Sequence, residues 1–201
     1  MERFMRKWDR IVMLLALAWA TSAQATTVIA MYLDDLTAES QTVVHGTVVA
    51  SRTEWDENRR MIYTIYTIAP TEYIKGNLGL TFELREPGGE LDGIGMSVAG
   101  VPEFSAGQEA VLFVWTDREG RHQVTAFEQG AVAITTDPQT GVKKASRGVP
   151  LGSARATAAA ASAVPSTVFA QGAVPETSRS LPQLFQQVRS SVATRQRSRA
   201  E

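Results

Sequence analysis

The chain has 201 residues, a net charge of −1 and no cysteine. That length fits one domain with appendages, and the near-neutral balance gives no support for a nucleic-acid partner. Without cysteine there are no disulfides, thiolate nucleophiles or thiolate metal sites; with His45 and His122 as the only histidines, a histidine-rich metal centre is not expected, and no cofactor is expected either.

The first 25 residues read as an export signal. Arg3, Arg6, Lys7 and Arg10 form a basic start, Ile11 to Ala20 is a short apolar run, and Ala23-Gln24-Ala25 is a small-x-small cleavage site. The mature chain then begins at Thr26 and is periplasmic or secreted, with no transmembrane segment left after cleavage. The apolar run is shorter than the ~20 residues a span needs. An uncleaved anchor is the alternative.

Thr26 to Ala30 is short and β-prone. Tyr32, Leu33 and Leu36 share one helical face, and Asp34 and Asp35 lie near the start, where the helix dipole favours carboxylates. This predicts a short helix over about 32–40 that must pack on something larger. Thr42 to Ser51 is the first strand, with Gly46 marking a bulge or bend. Arg52 to Arg60 is charged and reads as a long hairpin loop, whose Trp55 either caps a barrel end or lies partly exposed. Met61 to Gly76 is the clearest strand. β-Branched and aromatic residues fill both of its faces, so it is expected to be central. Pro70 should stop it, bulge it or make it an edge, and Lys75-Gly76-Asn77 is a turn.

Leu80 to Arg85 alternates, with Leu80, Phe82 and Leu84 on the buried side. The stretch from Glu86 to Gly107 is rich in glycine and proline and reads as a long loop, with a short strand over Met96 to Ala99. Loops of this length inside a domain are often functional. Glu109 to Thr116 is a strongly apolar strand, and Asp117 to Gly120 a hairpin turn. Arg121 to Phe127 is the return strand and Ala131 to Thr136 another. Asp137 to Gly141 turns into a last strand at Val142 to Lys144. From Ala145 to Arg179 alanine, serine, proline, threonine and glycine dominate, which predicts a flexible linker. Ser180 and Gln183 form a capping box for a helix with the stripe Leu181, Leu184, Phe185, Val188 and Val192 and a basic end at Arg189, Arg195, Arg197 and Arg199. That helix either docks on the barrel or serves an acidic partner or a membrane surface.

Catalytic signatures are missing. No serine elbow, zinc-protease helix or phosphate-binding glycine loop occurs. His45 reads as a half-buried sheet residue and His122 as exposed. Glu86, Glu90 and Asp92 cluster around Gly88-Gly89. They form either a solvated acidic loop or a group for acid–base work or a hard cation.

The run from Leu33 through Gly76, with its short helix, Val43–Ser51 strand, hairpin and strand ending in Lys75-Gly76, resembles netrin-like modules and tissue inhibitors of metalloproteinases. The resemblance implies a five-stranded oligonucleotide/oligosaccharide-binding-type barrel. Those inhibitors chelate the protease zinc through an N-terminal cysteine; here Thr26 stands in that place, so their mechanism does not carry over. The wider pattern, including Val43-Val44-His45-Gly46-Thr47-Val48-Val49, Trp55, Pro87-Gly88-Gly89, Gly100, Pro102 and Phe104, resembles an exported bacterial family. In some of its members such a region precedes a matrixin-like metallopeptidase domain, which implies an accessory or binding role.

The expectation is therefore a mainly β protein: a signal peptide at 1–25, a small OB-like barrel, closed or partly open, at 26–144 with a short N-terminal helix, a linker at 145–179 and a basic amphipathic helix at 180–201. Its expected function is non-catalytic binding of an extracytoplasmic protein or glycan, through Arg85, Pro87, Gly88, Gly89, Glu90 and Asp92. A hydrolase using the acidic loop residues and a structural envelope protein are the alternatives.

Overall fold

A computed structural model describes residues 31–146 and 179–200. Helix α1 (Leu33–Glu39) leads into β1 (Thr42–Trp55) and β2 (Ile62–Lys75). Then come β3 (Phe82–Pro87), a small hairpin of β4 (Gly89–Leu91) and β5 (Ile94–Met96), β6 (Glu109–Thr116) and β7 (His122–Val124). A 3₁₀ turn (Phe127–Gly130), β8 (Ala131–Thr136), β9 (Lys143–Ser146), β10 (Arg179–Ser180) and helix α2 (Leu181–Ala200) complete the chain.

Hydrogen bonding runs in the order β1-β2-β3-β7-β6 and returns from β6 to β1, which closes a five-stranded barrel. All these pairs are antiparallel except β3 with β7, which meet in parallel at Leu84 and His122. Of the closed or partly open barrel expected, the closed form is the one observed. β8, β9 and β10 extend the sheet from β6.

Alternation along β6 explains both cores. Ala110, Leu112 and Val114 fill the barrel with Val44, Val48, Tyr66, Ile68, Phe82, Leu84 and Phe104. Val111 and Phe113 face outward and pack with Val43, Val132 and Ile134 under the two helices. Leu33 and Leu36 of α1 and Leu181, Leu184 and Val188 of α2 cover this second core. The terminal helix therefore docks. Its start keeps half of the expected capping box: the Ser180 N–H donates to Gln183 Oε1 at 3.3 Å. Further along, Arg189 pairs with Glu72, and Ser191 donates to Asp34.

The β1–β2 hairpin bends round the barrel through register shifts at three places. Gly46 and Pro70 sit opposite each other beside one of them, so the two expected breaks are a single feature. A Cβ on Gly46 would lie 2.8 Å from the Ala69 carbonyl oxygen, closer than any side chain tolerates. A second shift leaves Val49 as an extra residue between Val48 and Ala50, the geometry of a bulge. At the far end, Lys75 Nζ donates to the carbonyls of Thr37 and Ser40 at 2.6 and 2.5 Å. It thereby satisfies carbonyls that the end of α1 leaves open.

Several boundaries differ from the sequence reading. The charged stretch 52–60 is not a long loop. β1 continues to Trp55, and Asp56 makes a tight turn by accepting the N–H groups of Arg60 and Met61. β3 starts two residues late, because Asn77 and Tyr73 hold a turn at Gly79. Leu80 consequently stays 94% exposed instead of joining Phe82 and Leu84. β7 ends at Val124, because Ala126 and Phe127 both adopt positive φ, 55° and 58°. His122 is half-buried, edge-on to Phe82 at 5.9 Å. Ala145, Ser146 and Arg179, read as linker, lie in paired strands. The signal peptide, residues 26–30 and most of the linker fall outside the described residues.

Replacing Lys75 with Met would keep the aliphatic stem but strip the two carbonyls of their shared donor. The expected loss is about 2 kcal/mol, read as a lower urea midpoint at unchanged slope.

Candidate functional site

The glycine-rich segment after β3 is partly ordered as a hairpin. Gly88, with φ of 116°, donates its N–H to the Ile62 carbonyl at 2.8 Å. Gly89 follows at φ of 127°, and a Cβ there would sit 2.6 Å from Thr64 Oγ1. Only glycine lets β4 lie this close to the β1–β2 hairpin. Asp92 and Gly93 both take positive φ, 56° and 75°, as the tightest hairpin turn demands. The Asp-Gly pair between apolar residues was a readable signal for this turn, and it corrects the expected strand at 96–99 to 94–96.

Three side chains hold the hairpin. Trp55 Nε1 donates to Asp92 Oδ2 at 3.0 Å, Thr53 to the Glu90 carbonyl at 3.0 Å, and Thr64 to the Gly88 carbonyl at 2.8 Å. Trp55 is thus a strand residue gripping the hairpin tip. Glu90, Asp92, Gly93, Ile94 and Gly95 remain exposed, with Ile94 at 49%.

Direct partners across a sheet share a face, and the register separates the expected site residues. Arg52, Ile65 and Arg85 are one row, and Glu54, Tyr63 and Pro87 the next. On that face Arg85 pairs with Glu54 at 2.5 Å and lies 4.1 Å from the centre of the Tyr63 ring. Arg52 pairs with Glu83 at 2.6 Å. Thr53, Trp55, Ile62 and Thr64 occupy the opposite face, where the hairpin packs. Of the six residues expected to bind, Gly88, Gly89, Glu90 and Asp92 therefore belong to the hairpin, whereas Arg85 and Pro87 lie behind it.

The three acids do not form a group. Glu86 continues the inward row of Phe82 and Leu84 and is only 4% exposed. Its Oε1 accepts the Val124 N–H at 2.7 Å. Burial pushes its carboxyl up to about 8, against a smaller lowering by that hydrogen bond. Glu90 and Asp92 are exposed on the hairpin. Among the described residues no group of three or more histidines or carboxylates is placed to hold a metal ion. No helix among them is long and apolar enough to cross a membrane.

A second polar cluster escaped the sequence reading. His45 is buried against Phe185 of α2, with ring centres 5.5 Å apart. Its Nε2 lies 2.5 Å from Glu109 Oε1, which also accepts from Lys143 Nζ at 2.5 Å. Burial alone would raise the Glu109 carboxyl, but the bonds from Lys143 and His45 outweigh it and hold the group below its ordinary value. Three strands and a helix meet here, which no local pattern announces.

Comparison with protein-family models, curated protein sequences and solved structures finds no match to this chain.

Trp55→Phe keeps the ring but removes the hydrogen bond to Asp92. Because the hairpin is held at few points, about 1 kcal/mol of local stability should go with it. Hydrogen exchange at Leu91 and Ile94 is then expected to quicken about fivefold, with the β6 amides unchanged.

Proposed function

We propose that this chain is an exported, non-catalytic binding module that recognises an extracytoplasmic protein or glycan through its β4–β5 hairpin. The observation that carries this reading is a short hairpin pinned to a stiff barrel, with its outer residues left to solvent. Thr53, Trp55 and Thr64 fix its position, while Glu90, Asp92 and Ile94 present two carboxylates and an apolar side chain. Loops and hairpins positioned by a rigid scaffold are where binding residues concentrate. β5 pairs only with β4 among the described residues, so its outer edge is open to an added strand. The barrel interior offers less, because side chains fill it. The acidic hydrolase reading is the weaker one, because Glu86 is buried whereas Glu90 and Asp92 are exposed on the hairpin. Export rests on the basic start, short apolar run and Ala23-Gln24-Ala25 of the sequence.

A photo-crosslinking residue placed at Ile94 in the whole chain should trap a specific partner in cells. The same residue at Arg118, an exposed turn position on another hairpin, should not. Equal trapping at both positions, or none at Ile94 together with no glycan retained on an array, would remove the hairpin as the recognition surface.

A further inference from the structure

The weakest seam of the barrel lies between β3 and β7, which share one parallel bridge, Leu84 to His122. One step further, where a ladder would continue, the Val124 N–H finds a side chain in place of a main-chain carbonyl. It donates to Glu86 Oε1 at 2.7 Å. A carboxyl group thus completes the barrel wall.

That carboxyl is buried without a counter-charge. Burial raises its carboxyl and the Val124 N–H lowers it less, and among the described residues no cation pairs with it. Arg85, its neighbour on β3, points to the other face and pairs with Glu54. From β2, the Tyr66 hydroxyl lies within electrostatic reach of Glu86 and of Glu103 on the crossing loop. From β7, the nearest titratable group is His122, which bonds to Thr116 and feels Asp117. An ionised Glu86 would face Tyr66 and a neighbourhood with no positive charge.

The segment over the barrel end packs on the barrel core through its middle and is tied at its two ends. Pro102 and Phe104 are inserted, with the Phe104 ring edge-on to Tyr66 at 5.0 Å. The Phe104 N–H reaches the Tyr66 hydroxyl over 3.4 Å, a long contact. The firm ties lie at the two ends. The Gly100 carbonyl accepts from Glu128 at 2.8 Å, and the Gly107 N–H donates to Val48 at 2.7 Å. Both glycines have positive φ, 81° and 83°.

We propose that Glu86 is a proton-held latch: as a neutral acid it stays dry in the seam between β3 and β7 beneath the Pro102–Phe104 segment, and once ionised, although its bond from Val124 would strengthen, it draws in water and lets that segment lift. Lifting uncovers Tyr66, Thr64 and Glu86 at the barrel end. The sign follows from burial. Between the ordinary value of 4.5 and about 8, the closed chain holds a proton at Glu86 that an opened chain gives up. The closed state therefore loses stability as pH rises through that window, has lost all of it above about 8, and gains nothing more below 4.5.

The test is hydrogen exchange on the whole chain at pH 6 and pH 9, expressed as protection factors so that the intrinsic rate cancels. Protection at Phe104 and Val124 should fall by roughly 100-fold over this range, since one pKa unit is tenfold, while Leu112 in β6 stays protected. In Glu86→Gln, which keeps an acceptor for Val124 but cannot ionise, Phe104 and Val124 should show no such fall. A fall of equal size in the variant, an equal fall at Leu112, or no fall in the unaltered chain would each overturn the latch. If the variant does not fold, the carboxyl carbon-13 shift of Glu86 in the unaltered chain decides. A midpoint near 4.5 overturns the proposal, and one near 8 accompanying the local loss of protection supports it.

Discussion

Strand β6 is the wall that both cores share, and the rest of the structure depends on it. Residues Ala110 to Val114 are all buried, alternately into the barrel and under the helices. A strand covered on both faces reads as a continuous apolar run, which is how this one reads. Along its length it pairs with β1, β7 and β8, so barrel closure and the sheet extension both hang from it. α1 and α2 then need no long apolar faces of their own. Each lays a few side chains on a surface that β6 and its neighbours already provide. Among the described residues, both helices are held on the outer core by these apolar side chains.

The long β1–β2 hairpin meets a different constraint. Fourteen residues per strand outrun the barrel, and a flat ribbon of that length would not curve around it. The bulges supply the bend, and at Gly46 the bend brings two backbones too close for any side chain. The overhanging end would expose Thr53, Trp55, Ile62 and Thr64 on its inner face. β4 and β5 cover it, and Gly88 and Gly89 make the approach close enough. The candidate surface is therefore a by-product of the overhang: the cover's inner side satisfies the hairpin, and its outer side is left to solvent.

What could be read from the sequence was local and periodic. The two-sided β2, the apolar β6, the Ala131–Thr136 strand, the short helix and the terminal helix stripe all carry their pattern in neighbouring residues, and the structure places them as expected. Gly46 and Pro70 were each readable as breaks, but that they are one break required the register. The misread positions depend on partners far away or on backbone states with weak sequence codes. Leu80 fell out of its strand because the Tyr73 hydroxyl and the Asn77 side chain hold the preceding turn. β7 ended early through two positive φ values at Ala126 and Phe127, residue types that seldom adopt them. Glu86 was readable as the next inward step after Phe82 and Leu84. Its charge argued for the surface, since acids are rarely buried, and the charge argument was the wrong one to follow.

Two acids, one half-buried and one buried, show how one barrel treats the same group in opposite ways. Glu109 receives Lys143 and His45, and it stays ionised under a helix clamped by apolar contacts. A half-buried charge with two donors is satisfied, and it keeps some contact with water besides. Glu86 has one neutral N–H and no cation, and its carboxyl holds its proton instead. The Glu109 carboxylate, held below its ordinary value, already carries its charge near neutrality and has it matched. Glu86 has no matched charge, and it sits at the single-bridge seam, below a segment with a positive-φ glycine at each end. The proposed response to pH therefore belongs to the seam between β3 and β7, and the core under the helices is held by apolar contacts and a matched charge.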